Sequence, residues 1–356
     1  MIVQGPQVEL ADVAAAGGWV IKPEGACRAD VCMPLAPDLD GPGLARRLGA
    51  QLVTDDQTGA VAIGPESGGT VLTTTELPSV RLQDWRGGDV DLRDFLGQRL
   101  VITSWAPWCG CRADLPVWAE LREELQSDGI EIITVALDSG GAAEPFLAEI
   151  DPQHPSLIDT RHQLVAALGF DNVPMAVWVD EAGRIVRPAE PAWPGRAVWY
   201  EEESRNVAVE SRVGHEDPYV DEMIDQASSI VTDAERYVAS LRDWAARGAD
   251  SPYVLAEHEV TDRSGRRTAQ QSEAAARFEM ATHLQSLGRR DDAREHLRLA
   301  HALDPGNWSY KRQSWWHEDP LQRPSEHFES NFVEELRKVG AENYYKPSAG
   351  VRGGTD

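Results

Sequence analysis

A chain of 356 residues is longer than one hydrophobic core ordinarily serves, so two or three domains are expected. Its 59 acidic residues outnumber 34 basic ones, and the resulting charge of −25 repels phosphate backbones and anionic lipid, which excludes nucleic acid and membrane surfaces as partners. No apolar run reaches the ~18–20 residues of a membrane span, and MIVQGPQVELADVAAAGGWV lacks the basic start and apolar stretch of a secretory signal, so a cytoplasmic location is expected.

Residues 1–72 read as a small α+β unit. Trp19-Val20-Ile21 predicts a strand, and a helix begins near Asp38 or Asp40 and runs to Leu48. Gln51–Thr54 and Ala60–Ile63 flank a turn at Asp55 to Gly59, and Glu66 to Thr70 reads as a linker. Cys27 and Cys32 lie in this unit with four residues between them. Four cysteines are too few for a disulfide scaffold, and this pair has no histidine within 50 residues and poor spacing for zinc. Two partly buried structural thiols are expected, with a secondary redox pair as the functional alternative.

Residues 75–190 alternate between strand and helix. Leu100–Trp105 is a short apolar strand, and Leu115, Trp118, Leu121 and Leu125 recur at helical spacing up to a stop at Gly129. Ile130–Leu137 is apolar almost throughout, as befits a central strand covered on both faces. Helices at about 142–150 and 161–168 follow. Met175–Val179 and Arg184–Val186 then flank a turn at Asp180-Glu181-Ala182-Gly183. An α/β sheet with an antiparallel edge accommodates this order.

Residues 191–347 read as helical, with one long helix over Glu222–Arg247 and two more, Ser272–Leu287 and Asp291–Leu303, broken at Gly288. The last residues, Ser348 to Asp356, are expected to fray. Trp308, Tyr310, Trp315 and Trp316 concentrate aromatic surface and are expected to fill space between these helices and the preceding sheet, with a partner groove as the alternative. His215, His258, His283, His296, His301 and His317 form no HxxxH or HExxH spacing, so no metal is expected.

The stretch richest in chemistry is Trp105-Ala106-Pro107-Trp108-Cys109-Gly110-Cys111-Arg112-Ala113-Asp114-Leu115-Pro116, where a central strand ends and a helix begins. A thiol there meets unpaired backbone N–H groups and the positive end of the helix dipole, which favour the thiolate. Thiolate is the attacking species in disulfide exchange, and a second cysteine two residues away can resolve a mixed disulfide.

Trp105, Trp108, Cys109, Cys111, Arg112 and Pro116 resemble the Trp-x-x-Trp-Cys-x-x-Cys-Arg…Pro pattern of the thioredoxin superfamily, in its TlpA-like, redoxin (AhpC/TSA-type) branch, with one residue missing between the cysteines. Leu77-Pro78 through Leu92–Gly97 resembles the family's leading hairpin, and Asn172-Val173-Pro174 the loop that carries its cis-proline. The resemblance implies a thioredoxin-like α/β fold, a central mixed sheet flanked by helices, with the small unit before it and the helical region after it. It implies a thiol–disulfide oxidoreductase with Cys109 as nucleophile, Cys111 as resolving cysteine, and Pro174 docking the substrate beside Trp108 and an exposed Val173 backbone. Protein or small-molecule disulfides would be the substrates, a cellular thiol the reductant, and no cofactor is required.

Two departures matter. A single-residue spacer tightens the ring a disulfide would close, so an easily reduced, oxidising couple is expected, or a Cys109 that works alone. Thr103 stands where thioredoxin keeps a buried acid, which leaves Asp138 as the proposed proton acceptor. Peroxiredoxins share the fold, but the position where they keep an activating hydroxyl is Ala106 here. A thiol peroxidase and a non-catalytic protein-binding module are therefore the alternatives. Residues 272–305 also resemble one tetratricopeptide repeat, a helical hairpin able to dock a protein partner.

Overall fold

The computed structural model describes residues 1–5, 7–28, 31–195 and 217–345. Its first part contains β1 (Ile2–Gln4), α1 (Leu10–Ala16), β2 (Val20–Lys22), β3 (Gly25–Arg28), β4 (Val31–Met33), α2 (Gly41–Leu48), β5 (Leu52–Asp55) and β6 (Ala60–Ile63). The strands form two small antiparallel sheets, β1-β6-β5 and β2-β3-β4. Asp40 starts α2 by accepting the Gly43 N–H at 2.6 Å, and Gly49 ends it with φ 67°, a left-handed residue suited to glycine. Cys27 and Cys32 are not separate thiols. The β3–β4 register sets them directly opposite one another, and they form a disulfide. The antiparallel pairing of β3 with β4 makes this bond possible, which composition alone does not reveal.

The central part comprises β7 (Arg81–Asp84), β8 (Asp89–Asp91), β9 (Arg99–Trp105), α3 (Leu115–Gln126), β10 (Ile130–Leu137), α4 (Ala143–Ile150), β11 (Ser156–Asp159), α5 (Gln163–Leu168), β12 (Met175–Val179) and β13 (Ile185–Pro191). These strands make one sheet in the order β13-β12-β9-β10-β11-β7-β8. β9, β10 and β11 run parallel, and β12, β13 and β7 antiparallel to their neighbours. Every residue of β9 and β10 is buried, which explains their unbroken apolar character. Trp118, Leu121 and Leu125 of α3 cover one face together with Trp178 and Ile132. Ile102, Ile133, Leu157 and Leu164 pack on the other. This is a thioredoxin-like fold, with the Val173–Pro174 bond cis just before β12.

Among the described residues seven α-helices follow: α6 (Pro218–Ser228), α7 (Ala234–Arg247), α8 (Glu257–Arg263), α9 (Ala269–Ser286), α10 (Arg290–Leu303), α11 (Trp308–Glu318) and α12 (Phe332–Val339). The single helix expected over Glu222–Arg247 is two. Asp233 accepts the Arg236 N–H at 3.2 Å and begins a new helix after a β-branched, serine-rich break. α7 closes one sheet face, where Trp244 stacks on Trp178 at 4.9 Å. α9 and α10 form the expected hairpin, closely packed through buried Ala281, Ala293 and Ala300. It leans on the first part, where Ser272 Oγ donates to the Pro65 carbonyl at 2.5 Å and accepts the Gln51 N–H at 3.1 Å. One apolar cluster runs from Val53 and Ala62 through the sheet to Phe278, Trp315 and Leu336. The Ser348–Asp356 tail and His215 lie outside the described residues.

Candidate active site

β9 delivers the chain to Trp105, and the Cys109 N–H then turns back to the Ala106 carbonyl at 3.0 Å. Cys109 is extended and caps the 3-10 turn Gly110–Asp114 that leads into α3. In that position its sulfur accepts the Cys111 backbone N–H at 3.3 Å. The thiol also lies 3.9 Å from the Val173 carbonyl, which it can donate to. Cys109 and Cys111 are both free and only 7% and 6% exposed. The strand-to-helix junction and the cis-proline loop thus meet at one sulfur.

The helices after the sheet complete the surroundings. From α11, Arg312 donates to the Trp108 carbonyl at 2.8 Å, to Gln322 Oε1 at 3.0 Å and to the Tyr344 hydroxyl at 3.3 Å. Its guanidinium lies 4.8 Å from the Trp108 ring centre and 4.1 Å from that of Phe332. Gln313 Oε1 accepts the Trp108 indole N–H at 2.9 Å. Among the described residues no carboxylate pairs with Arg312, although a buried cation needs a counter-charge. A thiolate on Cys109 supplies one. Burial pushes the Cys109 thiol up, but the hydrogen bond from Cys111, the Arg312 charge, the Cys111 backbone N–H and Arg112 outweigh it and bring the group to about 7. Cys111 moves the other way: burial, the hydrogen bond it gives Cys109, the Cys109 charge and Asp114 hold it well above the ordinary thiol range. The two sulfurs are chemically unequal.

Asp114 is 2% exposed, and its Oδ1 finds no hydrogen-bond partner among the described residues. Burial, reinforced by the Cys109 charge, raises its carboxyl to about 8. It lines a cavity of about 100 Å³ with both cysteines and Pro174. Asp138, the acid expected to serve this centre, is otherwise engaged: its carboxylate accepts the Gly140 and Ala143 N–H groups at 2.8 and 2.7 Å and begins α4. Thr103 is buried on β9 with its hydroxyl unpartnered among the described residues.

Val173 corrects another expectation. It is fully buried, its N–H donates to Asn172 Oδ1 at 2.9 Å, and its carbonyl accepts the Tyr345 hydroxyl at 2.8 Å. The backbone is not open for pairing. Sequence reasoning missed Asp114, Arg312, Tyr344 and Tyr345. Asp114 sits inside the quoted motif, and the aromatic density near the end of the chain was visible, but nothing local aims Arg312 at residue 109. Glu24, Cys27 and Cys32 cluster closely enough to suggest metal ligands, yet the two sulfurs are bonded to each other.

The AhpC/TSA family model matches residues 73–187. The thiol–disulfide oxidoreductase ResA of Bacillus thuringiensis subsp. konkukian is 26% identical over 114 residues, covering 32% of this chain and 66% of that protein. ResA of Geobacillus thermodenitrificans is 27% identical over 110 residues, 30% of this chain and 63% of its own. The matches therefore span just under two thirds of these relatives. Among solved structures, a putative thiol:disulfide interchange protein DsbE from Chlorobium tepidum aligns with a TM-score of 0.29 at 25% identity, over 32% of this chain and 80% of that one.

Proposed function

We propose that this protein is a thiol–disulfide oxidoreductase in which the Cys109 thiolate attacks a disulfide and Cys111 resolves the product. The observation that carries the reading is a buried guanidinium, Arg312, with no carboxylate partner among the described residues and with the Cys109 thiolate as its anion. At neutral pH about half of Cys109 is ionised, while Cys111 and Asp114 keep their protons. Cys109 Sγ⁻ attacks one sulfur of R–S–S–R, and a Cys109–S–S–R bond forms. The departing R–S⁻ takes the Asp114 proton. Loss of the Cys109 charge removes one of the two causes that kept Asp114 protonated, and the carboxylate becomes the base for the Cys111 proton. Cys111 Sγ⁻ then attacks Cys109 Sγ and expels the second R–S⁻. Two electrons pass to the substrate, and a cellular dithiol reduces the Cys109–Cys111 bond again.

Arg312 also bears on redox poise. It stabilises the ionised, reduced state and loses its anion when the disulfide closes, so it makes the couple more oxidising, as the short spacer was expected to do. The helical hairpin at 272–305 is proposed to brace the sheet, its tetratricopeptide-like small residues being spent on contact between its own helices.

Single-turnover reduction of insulin and consumption of hydrogen peroxide, compared in the unaltered protein, Cys109→Ser and Cys111→Ser, test the assignment. Disulfide reduction that stops in Cys109→Ser and stalls at a trapped mixed disulfide in Cys111→Ser supports it. Faster turnover of peroxide than of any disulfide would transfer the site to the peroxidase class, and activity that survives Cys109→Ser would remove the nucleophile. Turnover of neither substrate by the unaltered protein would favour a binding module.

A further inference from the structure

The geometry points to a substrate class: the site takes a disulfide with short arms and not a polypeptide. This rests on the oxidoreductase reading above. A polypeptide client needs a surface on which to lie. Here the Val173 N–H is used by Asn172 and its carbonyl by the Tyr345 hydroxyl, so no backbone pairing is open beside Pro174. Tyr345 is held in turn, its ring edge-to-face with Trp193 at 5.3 Å and with Tyr344 at 4.7 Å. Tyr344 is fixed by Arg312 and by contact with Trp308 at 4.7 Å. The residues that cover the dithiol thus belong to a packed aromatic cluster.

Space remains beneath that cover. The cavity of about 100 Å³ at Cys109, Cys111 and Asp114 is walled by Met223 and Ile224 of α6, Trp193, Phe332 and the two tyrosines. An apolar cavity of roughly 150 Å³ holds one benzene. The present one is smaller than that, so it suits a short alkyl arm bonded to sulfur, and it is too small for an aromatic ring or a polypeptide loop. Apart from the sulfurs, its polar groups are Asp114, neutral below about 8, Arg312 and the hydroxyls of Thr232, Tyr344 and Tyr345, and since Arg312 is released from the thiolate once Cys109 is bonded to substrate, it is the size of the arm that the cavity selects. The balanced reaction is R–S–S–R plus the Cys109/Cys111 dithiol giving two R–SH and the Cys109–Cys111 disulfide, with a dithiol reductant consumed to restore the enzyme.

The test is single-turnover oxidation of the pre-reduced, desalted full chain by dimethyl disulfide, oxidised glutathione and insulin. Each rate is divided by that of free dithiothreitol with the same disulfide, which removes intrinsic reactivity. The normalised rate for dimethyl disulfide should exceed the other two by roughly tenfold or more. Ile224→Trp, which fills the cavity, should lower it by roughly tenfold. Should that variant fail to fold, Ile224→Ala keeps the test open, because a larger cavity should admit 2,2′-dipyridyl disulfide faster than the unaltered protein does. A normalised insulin rate equal to or above that of dimethyl disulfide, abolished by Cys109→Ser, would overturn the small-substrate inference and leave the oxidoreductase reading standing. If no disulfide oxidises the protein, both fall.

Discussion

Two cysteine pairs in this chain show how little spacing says about chemistry. Cys27 and Cys32, with four residues between them, are bonded across an antiparallel hairpin; Cys109 and Cys111, with one between them, are free at a strand-to-helix junction. The hairpin pair owes its state to register, because β3 and β4 set the two residues opposite. The junction pair owes its reactivity to charge. A backbone N–H, a buried guanidinium and a neighbouring thiol converge on Cys109, while an acid and the Cys109 anion hold the proton on Cys111. Asymmetry of environment, and not proximity of sulfurs, makes a dithiol a catalyst.

The largest expected effect breaks that contrast outright. Cys109→Ser should reduce disulfide turnover by roughly 10³-fold or more, whereas Cys27→Ser/Cys32→Ser should leave it within about twofold; single-turnover rates on one disulfide measure both. Next comes Asp114→Asn, which removes the proposed proton carrier and should slow resolution by about 10²-fold. The same substitution carries a stability signature. The carboxyl is raised from 3.8 to about 8 on folding, so its protonated form fits the folded state and stability is lost as pH climbs through that window. Asp114→Asn should therefore nearly match the unaltered protein at pH 4 and exceed it by on the order of 5 kcal/mol at pH 8, as denaturant titrations at the two pH values would read. Slower chemistry with greater stability is a pair of results that a purely structural aspartate would not give.

Arg312→Met tests the electrostatic half of the comparison at a smaller scale. Without the guanidinium, the midpoint for iodoacetamide alkylation of Cys109 should climb from about 7 toward the ordinary thiol range, and the rate at pH 7 should fall about tenfold. The reduction potential should become more negative, and Arg312→Lys should restore part of both. An unchanged alkylation profile would show that Arg312 only supports Trp108.

What could be read from the residues was what local pattern controls. The apolar runs of β9 and β10, the stripe of Trp118, Leu121 and Leu125, and the Trp105–Pro116 and Asn172–Pro174 segments each lie within one element or one turn, so periodicity and motif suffice. The rest depends on contacts that no window holds. Arg312 and Gln313 reach Trp108 across about 200 residues of chain. Asp138 looked free at a strand end because the two N–H groups it accepts belong to a helix start that forms only when β10 and α4 meet. The break before Asp233 was hidden because the apolar period persists through it, and the capping side chain decided the outcome. Val173 was expected to be open because the residues that cover it come from the far end of the chain.

The smallest effect concerns the hairpin pair on its own terms. Closing a loop of this length removes little entropy from the unfolded chain, so Cys27→Ser/Cys32→Ser should cost about 2 kcal/mol. β2, β3 and β4 form a separate small sheet, joined to the rest by Arg28, whose guanidinium donates to the Glu66 carboxylate at 2.8 and 3.0 Å and to the Gly17 carbonyl at 2.7 Å. The loss should accordingly be local. Hydrogen exchange should quicken in residues 20–33, and that in β9, β10 and the helix after Cys111 should stay as it was. Faster exchange at both places, with a shift in the Cys109 alkylation midpoint, would mean that the two dithiols communicate and that the separation drawn between register and charge is wrong.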